Sequence, residues 1–312
     1  LHRSGLRPGV FAGGIMKNYE SNIIIAKNSE LMLMEADEYD RSFLQLEPSV
    51  ALISSMDADH LDIYEKKEGL IKAFSQFAAK CTDRIILKKG LDIPKTHASH
   101  STYGFDTEAD VYTTDARIES GSNTFSLIIG KDKIKNIRTH LYGAFNMENI
   151  AAASAIAAYL GVPHMDIKKG IESFEGVKRR FEYVLATKAL VYIDDYAHHP
   201  EELKALLKAA REIYPDKHIT LVFQPHLYSR TRDFMGEFAE ILAKADRVLL
   251  LDIYPAREKP LKGVDSLHLL DMIPTKNKEL TNKETLTHRL EEMQLEVLIT
   301  AGAGDIDKLV MP

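Results

Sequence analysis

Five clusters of ionisable side chains in this 312-residue sequence each follow a short apolar run. Glu35-Ala36-Asp37-Glu38-Tyr39-Asp40 comes after ELMLM, and Asp57-Ala58-Asp59-His60-Leu61-Asp62 after VALISSM. Further on, Asp194-Asp195-Tyr196-Ala197-His198-His199-Pro200 comes after LVYI, and Gln224-Pro225-His226, with Arg230 and Arg232 behind it, after ITLVF. Tyr254-Pro255-Ala256-Arg257-Glu258 comes after LLLDI. Glu35 and His60, at the ends of two strands, could converge on one cation. Magnesium prefers oxygen donors and commonly bridges to phosphates, whereas a histidine donor leaves manganese and zinc open. His60 has a plainer reading as a histidine that orients Asp59 or Asp62.

Asn146 and Asn149 stand three apart at the start of a helical pattern, so their side chains share a face. An amide offers a donor and an acceptor together, the pairing an adenine edge requires. Taken alone, Asn146 reads more simply as a helix N-cap. Arg179 and Arg180 could grip a phosphate with two parallel hydrogen bonds each. His198, His226 and Arg230 form a cationic set suited to a small carboxylate. Any one acidic cluster after a strand can simply cap the next helix. Their joint occurrence at successive strand ends is what points to a site, because ligands of open α/β sheets collect there.

The elements that would carry these clusters are short apolar runs alternating with helical patterns. NIIIAK, ELMLMEAD and VALISSM read as buried strands, EGLIKAFSQFAAK as an amphipathic helix and RIILKK as the next strand. That alternation predicts a mainly parallel sheet covered on both faces. Residues 100–142 are more polar and read as antiparallel edge strands. An Ala-rich helix, NMENIAAASAIAAYLG, ends at Gly161 with Pro163 beyond. The charged stretch EGVKRRFEYV reads as a hinge, after which LVYIDD, HITLVFQP, RVLLLDIYP and EVLITAGAG supply a second set of strands. The expected organisation is therefore two α/β domains, 1–182 and 183–312, the second Rossmann-like.

Composition narrows the partners. Net charge is −6 with no long basic run, so no electrostatic footprint for nucleic acid is present. No run approaches the roughly 20 apolar residues of a membrane span. The single cysteine, Cys81, forms no intrachain disulfide, reads as a structural thiol and fits a reducing, cytoplasmic setting.

The segments EADEYDRSFL, DADHLDIY, STYGF, GAFNMENIAAA, FEGVKRRFE, DDYAHHPEE, FQPHLYSRTRDF, YPAREKP and AGAGDI occur in one order along nearly the whole chain. In that order the chain resembles the Mur ligase family, in its alanine-adding branch. The resemblance implies a central ATP-binding domain and a C-terminal amino-acid domain. It also implies an ATP-dependent reaction of peptidoglycan precursor synthesis. In it the lactyl carboxylate of UDP-N-acetylmuramate is phosphorylated, and the amine of L-alanine captures the acyl phosphate. By motif, Glu35 and His60 would hold Mg2+, Asn146 and Asn149 would meet the adenine end of ATP, and Arg180 the phosphates. Asp195 would reach the nucleotide from the second domain as the two close, and Tyr196, His198, His226 and Arg230 would surround L-alanine.

Three departures from the family pattern stand out. No GTHGKTT-like phosphate loop precedes GGIMKNY, and Gly13-Gly14 is not followed by Lys-Ser/Thr. The sequence is accordingly expected to be a fragment, without its UDP-binding domain and inactive alone. Phe145 stands where His often precedes the first Asn, and Leu227 where Arg often follows His226, which leaves one cation fewer for the alanine carboxylate. Lys72 does not match the spacing of the family's carbamylated lysine. Competing readings are a murein tripeptide-recycling ligase, a folylpolyglutamate synthase, or a binding module without catalysis.

Overall fold

A computed structural model describes residues 1–38, 40–56, 67–119 and 122–309, and divides the chain into two compact units, Leu1–Glu175 and Gly176–Pro312. Among the described residues no helix is long and apolar enough to cross a membrane.

The first unit opens with β1 (Gly9–Met16), β2 (Ser21–Ile24) and β3 (Met32–Met34), which form a three-stranded sheet in the order β2-β1-β3. These strands stand apart from the main sheet. The expectation that NIIIAK and ELMLM are buried fails here: Ile23 is 47% exposed, Met32 58% and Met34 45%. An apolar run fixes strand formation but not whether a layer covers it.

The main sheet contains β4 (Val50–Ile53), β5 (Arg84–Lys88), β6 (Ser99–Phe105), β7 (Val111–Glu119), β8 (Ser122–Ile129) and β9 (Asp132–Thr139), in that spatial order. The pairs from β4 to β7 are parallel and those from β7 to β9 antiparallel. Alternation along β5 shows how both faces are filled. Ile85 and Leu87 join a core with Leu70 and Phe77 of α1 (Lys67–Lys80), while Ile86 faces Met147 and Ala151 of α2 (Ala144–Tyr159). Helix α3 (His164–Glu172) follows α2 after Gly161, whose φ of +74° suits a residue without a Cβ.

The second unit has one six-stranded sheet. Its strands are β10 (Glu182–Ala186), β11 (Val191–Asp195), β12 (Ile219–Phe223), β13 (Arg247–Leu250), β14 (Lys278–Leu280) and β15 (Val297–Ala301), in the order β10-β11-β15-β12-β13-β14. β10 pairs antiparallel with β11 and the remaining pairs are parallel. Strands β11, β12 and β15 are buried at every position, including Asp194 and Asp195 at the end of β11, as befits a sheet covered on both faces. The helices are α4 (Pro200–Ile213), α5 (Tyr228–Asp233), α6 (Met235–Leu242), α7 (Ser266–Met272) and α8 (Leu286–Glu291). Phe223 of β12 meets Phe238 of α6 on one face, with ring centroids 5.5 Å apart, and Val222 packs with Leu286 and Leu290 of α8 on the other. Arg179 and Arg180, read from the sequence as hinge residues, belong to this unit.

Candidate functional site

In the second unit the carboxyl ends of β11, β12, β13 and β15 carry the site. β11 ends on two aspartates with different surroundings. Asp194 is buried and accepts hydrogen bonds from Thr300 Oγ1 and from Arg179 Nε, the latter at 3.0 Å. Burial raises its pKa, against the pull of Thr300 and Arg179. Arg179 also donates to the carbonyls of Gly302 (2.6 Å) and Gly304 (3.2 Å) and lies 3.5 Å from Asp307 Oδ1. One guanidinium thus ties the turn before β10 to the glycine turn after β15.

Asp195 accepts main-chain N–H groups on both oxygens, from Phe181 at 2.6 Å and Ala197 at 2.7 Å. Burial pushes its carboxyl up to about 6, although those N–H groups and Arg180 favour the ionised form. The following loop is turned by Tyr196 N–H donating to the Arg179 carbonyl at 2.7 Å. Tyr196 then lies beneath the Arg179 guanidinium, 5.1 Å from its ring centroid, and Arg180 approaches the same ring at 5.9 Å.

Pro200 opens α4, and Glu202 in its first turn accepts from the main-chain N–H groups of His198 (2.9 Å) and His199 (3.0 Å). That places the His198 ring 5.7 Å from the His226 ring, centroid to centroid, and His226 in turn stacks on Tyr254 at 5.7 Å and 12°. His198 Nδ1 is 2.8 Å from the Tyr196 carbonyl, which can only accept, so Nδ1 carries the proton and Nε2 is left as an acceptor in the neutral ring. His226 Nδ1 is 3.4 Å from Arg230 Nη1, which can only donate, so the neutral His226 presents Nε2–H. Burial lowers the pKa of both imidazoles, with Arg230 adding to the effect, and His226 falls to about 4. The two rings are therefore uncharged near neutrality, and the nearby arginines carry the positive charge.

Several residues within the quoted segments support this arrangement in roles that the sequence alone leaves unassigned. Gln224 is fully buried and donates to Asp305 Oδ1 at 3.0 Å. Glu258 accepts from the main-chain N–H of Ser229 at 2.9 Å and from its hydroxyl, joining the loop after β13 to α5. A Cβ on Gly304 would collide with Gln224 Oε1 and lie 2.8 Å from Tyr254 Cγ, so only glycine fits. AGAG was the signal available for that close approach. Arg179, Phe181, Leu227 and Ala256 all hold a left-handed backbone, with φ between 47° and 69°, and all stand in loops around the site. Each such residue costs roughly 1–3 kcal/mol, a strain characteristic of functional loops.

The first unit places its candidates differently. Glu35 is exposed at the end of β3, and one carboxylate oxygen accepts Gly13 N–H at 2.6 Å. A Cβ on Gly13 would fall 2.7 Å from that oxygen, so the glycine permits the approach. His60 lies outside the described residues. No group of three metal-ligating side chains occurs among the described residues. Asn146 is not the N-cap that local reading favours. Gly143 takes that position, with φ +85°, and Asn146 Nδ2 donates to the Tyr142 carbonyl at 2.8 Å. Asn149, one turn on, is exposed.

Comparison with known proteins agrees with both units. The Mur ligase middle domain matches residues 18–157, and the glutamate ligase domain of Mur ligases matches residues 179–306. A UDP-N-acetylmuramate–L-alanine ligase of Cytophaga hutchinsonii is 46% identical over 100% of this chain and 68% of its own length. Its counterpart in Christiangramia forsetii is 44% identical over 99% of the chain and 68% of its own length. The crystal structure of UDP-N-acetylmuramate-alanine ligase from Thermotoga maritima superposes with a TM-score of 0.81 at 22% identity, covering 99% of this chain and 68% of that one.

Proposed function

The chain belongs to the Mur ligase family, and we propose on that premise that it serves the ATP-dependent joining of L-alanine to UDP-N-acetylmuramate. The observation that carries this reading is the His198–His226–Arg230 set at the ends of adjoining loops, in a chain matched along its length by alanine ligases. A small amino acid offers one carboxylate and one amine. Arg230 and the Nε2–H of His226 supply donors for the carboxylate, and the ring of Tyr196 offers a wall beside them.

In the reaction proposed, ATP phosphorylates the lactyl carboxylate and the amine of L-alanine displaces phosphate from the acyl phosphate. Phosphorylation turns a poor leaving oxide into a good one. Arg180 is exposed beside Tyr196 and would offset charge on the phosphates. Asp195 has both oxygens occupied by N–H groups, so its part is to hold the loop that aims Arg180 and Tyr196, with a nucleotide contact as an added role. Asn146 and Asn149 would meet the adenine end of ATP, although Asn146 must share its amide with Tyr142. Glu35 is a hard oxygen donor fixed at one end by Gly13, which fits one carboxylate of a magnesium site, and His60 would be its partner. Bound Mg2+ would neutralise phosphate charge.

The test is a chimera of this chain with the part of the Cytophaga hutchinsonii relative that it does not span. Phosphate release should require UDP-N-acetylmuramate, L-alanine and MgATP together. Turnover with a tripeptide in place of L-alanine would favour the recycling-ligase reading instead. The 312 residues hold no Gly-x4-Gly-Lys-Ser/Thr loop, and by themselves should release no phosphate in the same assay.

A further inference from the structure

Leu227 follows His226 at the position where the family resemblance would put Arg. Its φ of 69° is a left-handed conformation, and its exposure is intermediate. The loop next to it, after β13, is welded to it at several points. Leu227 N–H donates to the Tyr254 carbonyl at 3.0 Å, and Tyr254 N–H donates to the Pro225 carbonyl at 2.8 Å. His226 and Tyr254 form a parallel bridge and stack their rings. Four residues beyond Tyr254, Glu258 reaches back to Ser229 with its carboxylate, and Glu258 N–H closes a turn onto the Pro255 carbonyl at 2.8 Å.

Arg257 sits inside that closed turn, between the anchored Tyr254 and the anchored Glu258, and is exposed. Ala256 before it takes a left-handed φ of 48°, which turns the chain sharply at this point. Among the groups that act on His226, Arg257 and Arg230 are the arginines, and the charge of each disfavours the imidazolium. Glu258 opposes them, and its carboxylate is committed to Ser229.

We propose that Arg257 is a substrate-binding residue of this site: with Arg230 and His226 Nε2–H it grips the α-carboxylate of the amino-acid substrate. It supplies from the β13 loop the cation that position 227 lacks. The proposal rests on the reading of this unit as an amino-acid site. Two arginines, one on α5 and one in the loop after β13, both acting on a neutral imidazole, make a carboxylate clamp that does not oblige like charges to share one element. The tie between Glu258 and Ser229 holds the two loops, and hence the two guanidiniums, in register.

The experiment uses the chain as it stands, labelled with 15N and observed at its arginine Nε–Hε signals during titration with L-alanine and, separately, with L-alaninamide. The signals of Arg230 and Arg257 should both move with L-alanine and neither with the amide, which lacks the carboxylate. Arg257→Gln should weaken L-alanine binding on the order of tenfold, the loss of one charge-assisted contact. Adding Leu227→Arg to that variant should recover most of the loss, because the cation returns from the neighbouring loop. Movement of Arg230 without Arg257, or an Arg257→Gln variant that binds as the parent does, overturns the proposal and leaves the amino-acid reading intact. No response of Arg230, His226 or Arg257 to saturating L-alanine removes the amino-acid reading, and this proposal with it.

Discussion

Both oxygens of Asp195 are occupied by main-chain N–H groups, Asp194 and Arg179 form a buried pair, and His226 stacks on Tyr254 and meets His198 edge-on. In the first unit Glu35 and Asn149 are exposed, and the amide of Asn146 is turned to its own helix start. The contrast matches the ligands proposed for each. A small amino acid brings few contacts and gains from groups already fixed in place, which lowers the entropic cost of binding it. A nucleotide is large and highly charged, and brings enough contacts of its own to order partly free side chains.

The sharpest break of this comparison is the Arg179–Asp194 pair. Arg179→Met leaves a buried carboxylate supported mainly by Thr300 and should destabilise the second unit by about 3–5 kcal/mol. Native-state hydrogen exchange would show protection falling in β11 and β15 and unchanged in β5 and β8. Equal losses in both units would mean that the pair is not a local fixture. Next in size is Gly304→Ala, whose Cβ meets Gln224 and Tyr254. Overpacking there should cost about 1–3 kcal/mol in urea denaturation and shift the His226 ring resonances through Tyr254.

Titration offers an intermediate test. Folded His226 takes up a proton only near pH 4, whereas in the unfolded chain it does so near 6.5. Between those values the unfolded state binds more protons, so this residue's contribution to stability rises with pH and is lost as pH falls. The stability of the parent minus that of His226→Gln should therefore increase from about pH 4 to about 6.5. Asp195, pushed up to about 6 from 3.8, has the opposite sign. The parent minus Asp195→Asn difference should shrink as pH rises through that window. The smallest effect belongs to the first unit. Asn149→Ala should change stability by no more than about 0.5 kcal/mol, as for an exposed position, while raising KM for ATP in the chimera. A large loss of stability would place Asn149 among the internal supports, and the contrast between units would narrow.

How much of this was legible in the sequence depended on the kind of residue. The strands β12 and β15 announce themselves as largely apolar five-residue runs, and β11 as a shorter apolar run that ends on Asp194 and Asp195, because both faces are covered. The clusters after them were found for the same reason, since loops at strand ends take whatever the site needs. The internal role of Arg179 is hidden because a charged pair in a charged stretch looks like a hinge with phosphate-binding side chains. Its partners Asp194, Gly302 and Gly304 lie over ten to over a hundred residues away in sequence. Asn146 was misread because cap preference favours asparagine, whereas Gly143 with a positive φ had already turned the chain. ELMLM was misread because composition does not record whether a neighbouring layer exists.

The place of β15 has a consequence for how the second unit comes into being. β11 and β12 do not touch as a pair; each bonds to β15, which lies roughly a hundred residues beyond β11 and roughly eighty beyond β12 in sequence. On the ribosome, the middle of this sheet stays open until residue 301 has cleared the exit tunnel. The emerging polypeptide must carry two half-sheets with bare inner edges until then, and those edges are where a chaperone would be expected to hold it.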